Sequence, residues 1–91
     1  MENILFNVIK VSDVKDQLGQ WCKSLRKRQG LSQDELGKQL NLSRLTIQHL
    51  ESGKNSTLET LLKVLNHFQE MDELYQYIHT KSVNPLPKSL Y

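Results

Sequence analysis

Apolar residues return along the chain at helical intervals. Val14, Leu18, Trp21, Cys22 and Leu25 fall at i, i+4, i+7, i+8 and i+11, which is one stripe of a helix over residues 13–29. Ser12 or Asp13 is placed to cap its start, and Gly30 stands where a left-handed residue closes a helix. Ser32-Gln33-Asp34-Glu35 reads as a capping box, in which the serine oxygen takes a free N–H and the glutamate reaches back. A second helix therefore starts at Ser32, turns Leu36 and Leu40 inward and stops at Asn41, a residue that tolerates the left-handed conformation. Ser43 opens a third helix over residues 44–52, which Gly53 ends. Only one or two residues remain between these two helices, a junction tight enough to fix them at a steep angle.

Farther along, Ser56 or Thr57 caps a fourth helix, with Ser56 and Glu59 forming another capping box. Leu58, Leu61, Leu62, Leu65 and Phe68 make its buried face, and Val64 falls toward the edge of that stripe. A short fifth helix is expected over residues 72–79, where Leu74, Tyr75 and Ile78 are apolar. Pro85 and Pro87 break regular structure in the tail from residue 82. Residues 3–11 are β-prone, with Ile4, Phe6 and Val8 on one strand face. A lone strand has no stability of its own. It is either paired, with residues 78–83, a second subunit or another protein, or it is a mobile arm. The expectation is an all-α chain of five helices, divided into an arm at 1–11, a helical domain at 12–81 and a tail at 82–91.

Composition limits the alternatives. Ninety-one residues with 37% apolar content suffice for one small domain and a modest core, so marginal stability or dimerisation is expected. A single cysteine excludes an internal disulfide. Residues 4–11 are too few to span a bilayer and lack the flank and cleavage site of a secretory signal, which leaves the cytoplasm as the default. Charge is distributed unevenly: residues 20–54 hold seven cations against three anions, whereas the segments on either side are each slightly acidic. The middle third alone suits a polyanion.

The third helix carries the candidate chemistry. With Ile47 and Leu50 inward, Arg44, Leu45, Gln48, His49 and Ser52 point to solvent or a ligand. Arginine can bond guanine, glutamine can bond adenine, and leucine can touch a thymine methyl in the major groove of double-stranded DNA. Gln33 and Ser43 sit beside free N–H groups at helix starts, where phosphate is attracted, and Thr46, Lys54 and Asn55 could extend that contact along the backbone.

The run from Leu25-Arg26-Lys27-Arg28-Gln29-Gly30 through Leu31-Ser32-Gln33-Asp34-Glu35-Leu36 resembles the opening of the Xre/Cro repressor family. Leu42-Ser43-Arg44-Leu45-Thr46-Ile47-Gln48-His49-Leu50-Glu51-Ser52-Gly53-Lys54 resembles its recognition helix and exit turn. The resemblance covers residues 18–69 and implies a compact, five-helix lambda-repressor-like domain. By position it places Arg44, Leu45, Thr46 and His49 against bases, with Gln48 joining them. It places Gln33 on a phosphate, and Ser43, Lys54 and Asn55 on the DNA backbone. It also pairs Arg26 with Glu51, which makes that arginine structural. Two residues depart from the pattern: Gly37 stands where alanine is usual, and Asn41 replaces a turn glycine. Residues 55–65, Asn-Ser-Thr-Leu-Glu-Thr-Leu-Leu-Lys-Val-Leu, are similar to HipB-type antitoxins, dimeric repressors that also bind a kinase-like toxin.

The remaining candidates read as structural. Trp21 and Cys22 belong to the core stripe, and Tyr75 and Tyr77 either line a dimer interface or cover the core. His49, His67 and His79 lack metal-ligand spacing, so neither a metal nor another cofactor is expected, and no residue pattern points to an enzyme. Two functions stay open. One is a homodimeric regulator on a palindromic operator with half-sites about 34 Å apart, with a HipA-like kinase toxin as partner if it is an antitoxin. The other is a module that binds a protein through its terminal segments.

Overall fold

The computed structural model describes residues 8–83. Five helices follow in order: α1 Val11–Arg28, α2 Gln33–Leu40, α3 Arg44–Glu51, α4 Leu58–His67 and α5 Met71–Val83. There is no strand among the described residues, so the fold is all-α. Residues 8–10 have no regular structure and Val11 is helical, which removes the near end of the expected strand; residues 3–7 lie outside the described region.

The start of α1 differs from expectation for a local reason. Asp13 Oδ2 accepts the Lys10 N–H at 2.9 Å, so the cap position falls on extended Lys10 and both Ser12 and Asp13 lie inside the helix. At about 1.5 Å per residue the helix is about 27 Å long. Residues 8–14 are exposed, and the inward stripe begins with half-buried Leu18 and buried Gly19.

The next two helices follow their caps. Ser32 Oγ accepts the Glu35 N–H at 3.0 Å and Glu35 Oε1 accepts the Ser32 N–H at 2.7 Å. Asn41 closes α2 at φ 60°, ψ 41°. The junction to α3 comprises residues 41–43, one more than expected. Backbone meets backbone there, because a Cβ on Gly37 would sit 2.6 Å from the Leu42 carbonyl oxygen. Alanine at that position would require the junction to open. Ser43 Oγ accepts the Thr46 N–H at 3.0 Å, and α3 ends one residue early, with Ser52 as its C-cap.

The buried face of α4 is not the one the leucines suggest. Thr57, rather than Ser56 with Glu59, caps it by accepting the Thr60 N–H at 3.0 Å. Thr60, Val64 and Leu65 are buried, Leu61, Leu62 and Phe68 are half-buried, and Leu58 is 70% exposed. The inward row contains a threonine because Thr57 satisfies its hydroxyl at 3.0 Å. With the polar atom matched, burial costs little. Val64, expected at the edge, is wholly buried.

Helix α5 runs to Val83, past the expected stop near residue 79. The Thr80 and Ser82 hydroxyls donate to the Gln76 and Ile78 carbonyls at 2.8 Å within it. None of its residues is buried; Met71 and Leu74 touch the core, while Tyr75 and Tyr77 are exposed and do not cover it. Residues 84–91, with both prolines, lie outside the described region. The core is Cys22, Leu25, Leu36, Ile47, Leu50, Val64 and Leu65, so α1 to α4 all contribute to it.

This arrangement separates two leucines of one helix. Leu65→Ala should cost about 2–5 kcal/mol, and Leu58→Ala within about 0.5 kcal/mol. Urea denaturation of both variants measures this, and equal losses would contradict the face assigned to α4.

Candidate nucleic-acid interface

Helix α3 is fixed from behind. Ile47 and Leu50 enter the core, and Glu51 meets Arg26 of α1. Arg26 Nε donates to Glu51 Oε2 at 2.6 Å and Nη2 to Oε1 at 2.8 Å, a two-pronged contact with Arg26 7% and Glu51 5% exposed. The third nitrogen, Nη1, donates to the Leu31 carbonyl at 2.7 Å, which ties down the loop before α2. Gln33 Nε2 donates to Glu51 Oε1 at 3.1 Å. One carboxylate therefore gathers donors from α1 and α2 at the end of α3. The bond to Glu51 raises the Arg26 guanidinium above its ordinary value despite desolvation. Beside the pair, burial and, less strongly, the Glu51 charge push the Cys22 thiol from 9.0 to about 12.

A glycine permits this approach. A Cβ on Gly19 would lie 2.6 Å from the carbonyl oxygens of both Leu50 and Glu51, so α1 rests backbone to backbone on the end of α3. Gly53, at φ +76°, turns the chain away immediately afterwards.

The outward side of α3 is a ridge between two shallow grooves. Leu45 is 54% exposed, and Arg44, Gln48 and Ser52 are exposed with it. One groove holds Gln48 and Ser52 with Gln20, Lys23, Gln33 and Glu51. The other holds Thr46 and His49, both half-buried, with Leu42, Asn55, Ser56, Thr57 and Thr60. The expected base-reading set is thus divided by position: Arg44, Leu45 and Gln48 stand free, whereas Thr46 and His49 lie against the start of α4. Thr46 Oγ1 lies 2.8 Å from Ser43 Oγ, so these two hydroxyls first satisfy each other. Lys54 is exposed, and exposed Asn55 accepts from Lys15 Nζ at 2.6 Å.

The positive middle of the chain divides as well. Arg26 is consumed inside, and Lys38 pairs with Asp34 at 3.3 Å on the surface, a contact worth little. Lys23, Lys27, Arg28, Arg44 and Lys54 have no carboxylate within 4.0 Å among the described residues. No site role falls to Gln20 or Lys15 from the sequence, where Lys23 counts only among the cations of residues 20–54. A signal for the two lysines exists: Lys15, Gly19, Lys23 and Arg26 recur at i, i+4, i+8 and i+11, so a contact at Arg26 brings that whole side of α1 toward α3.

Two short capped helices, joined by a tight three-residue junction and backed by α1, with the second presenting a free polar ridge, define a helix-turn-helix, the fold of DNA-binding transcription regulators. The chain belongs to the helix-turn-helix family of Xre/Cro type, whose model matches residues 23–74, more than half of its length. A comparison with curated proteins finds no match. Among the described residues no helix is long and apolar enough to cross a membrane, and no group of three or more His, Cys, Asp or Glu is placed to hold a metal ion.

Arg26→Ala strands a buried carboxylate and should cost about 3–5 kcal/mol, whereas Arg26→Met with Glu51→Leu should recover most of that loss. Thermal melts decide: an Arg26→Ala protein that melts like the parent but loses DNA would make Arg26 a direct contact. The thiol gives an independent check. Its folded pKa lies above the unfolded one, so its contribution to stability is present below about pH 9 and lost as pH rises toward 12. At about pH 8 a thiol reagent should label Cys22 only as fast as the protein unfolds; rapid labelling of the folded chain would place the thiol at the surface.

Proposed function

We propose that this protein is a sequence-specific repressor that binds a palindromic operator as a homodimer and lays α3 in the major groove. The observation that carries the reading is the ridge of α3. Arg44, Leu45 and Gln48 stand free on a helix whose opposite side is locked into the core and the Arg26–Glu51 pair. Free side chains on a rigid support suit base recognition, because the backbone is already in place and only the side-chain rotamers remain to be ordered on binding. In this reading Arg44 takes a guanine, Gln48 an adenine and Leu45 a thymine methyl. Thr46 and His49 approach bases from the α4 side, while Gln33, Ser43, Lys54 and Asn55 hold phosphates.

The dimer surface expected over residues 58–91 falls on α4 and α5 in its described part, and residues 84–91 lie outside the described residues. A helix of 13 residues with no buried side chain is marginal alone, and α5 exposes Tyr75, Tyr77, Ile78 and Val83. Such a face favours a second copy, which would double the contacts and read half-sites about 34 Å apart. The stretch at 55–65 supports a further antitoxin role, with a HipA-like kinase toxin as partner and the cytoplasm as the place of action. A kinase-like reading frame beside this gene, and its product purifying with this chain, would be the expected result.

Selection from a pool of randomised duplexes tests the central claim. It should enrich paired half-sites, and Arg44→Ala should then cost about 1–3 kcal/mol and relax one operator position. Lys54→Ala should weaken all sequences alike and reduce the salt slope by about 1. A chain that enriches no sequence, binds DNA indifferently to salt or captures only a protein would instead be an interaction module.

A further inference from the structure

We propose that Lys15 is a further DNA-backbone residue, which both positions Asn55 and adds a phosphate contact of its own. The inference rests on the DNA-binding reading above, and it concerns a residue outside the matched span 23–74. Lys15 lies one turn before Gly19, where α1 rests on the end of α3, so its side chain reaches the exit turn beyond Gly53. It lines a groove with Leu18, Leu50, Leu58 and Leu61, is half-buried, and its ammonium reaches Asn55 Oδ1 at 2.6 Å. An aliphatic stem on leucines with the charge at the rim is the ordinary compromise of a long cationic side chain.

The hydrogen bond has a directional consequence. An ammonium only donates, so the Asn55 oxygen must face Lys15 and its NH2 must face away. The amide is thereby held with its donors outward. Lys54, Ser56 and Thr57 line the same groove, and neither Lys15 nor Lys54 has a carboxylate within 4.0 Å among the described residues. Two uncompensated ammonium groups and an oriented amide donor, just past the recognition helix, make a receiver for the phosphates that flank the groove in which α3 lies.

The test uses the full chain with Lys15→Ala, Lys15→Gln and Lys15→Arg, on the duplex enriched by selection and on a scrambled duplex of equal length. Lys15→Ala should melt like the parent. It should bind both duplexes about fivefold more weakly at about 0.15 M salt, with the log–log salt slope smaller by about 0.9. Lys15→Arg should keep the slope. Lys15→Gln, which keeps a donor for Asn55 without the charge, should lose it, and this variant carries the test if Lys15→Ala melts early. Asn55→Ala should cost less in the Lys15→Ala background than in the parent, because its amide is no longer oriented. A parent that binds with normal salt dependence while Lys15→Ala and Lys15→Gln match it overturns this inference alone. A parent that binds neither duplex overturns the DNA-binding reading and this inference with it.

Discussion

The buried contact between Arg26 and Glu51 is the constraint on which the rest of the domain depends. A charge pair removed from water is sustained only if nearly every hydrogen-bonding site is filled. Here the guanidinium gives to both carboxylate oxygens and to the Leu31 carbonyl, and the carboxylate also receives Gln33. The acceptors and donors come from α1, the loop before α2, the first residue of α2 and the last residue of α3. No hydrophobic contact in so small a core could specify the relative placement of those elements as sharply, because apolar packing has no direction and hydrogen bonds do.

That network also joins folding to recognition. Gln33, the candidate phosphate contact at the start of α2, is held by the same carboxylate that anchors the recognition helix. Its amide is oriented before any ligand arrives. The close approach at Gly19 completes the arrangement: because α1 touches the α3 backbone directly, Lys15 and Lys23 are carried to either end of that crossing, one toward the exit turn and one into the groove beside Gln48.

What the sequence made legible was local. Capping at Ser32 with Glu35, the left-handed stop at Asn41 and the end at Gly53 each depend on residues within one turn, and the central helices followed from them. The Arg26–Glu51 contact, 25 residues apart, was legible only through family resemblance. The misplaced face of α4 has a different origin. A buried Thr60 satisfied by Thr57 looks polar in a hydropathy pattern, and an exposed Leu58 looks apolar, so the row was read one step off. Lys15 is obscured for a third reason, since its bonding partner Asn55 comes within reach only after α1 and α3 have docked.

The ridge of α3 has a consequence for descent. Arg44, Leu45 and Gln48 make no side-chain hydrogen bond to the rest of the described chain and lie outside the core. Exchanges at such positions usually alter stability by no more than about 0.5 kcal/mol. If these side chains read bases as proposed, successive substitutions there move the protein from one operator to another through intermediates that all stay folded. Thr46 has less of that freedom, because its hydroxyl bonds the Ser43 cap. Within one eight-residue helix, then, some outward positions are free to drift and one is tied to the architecture.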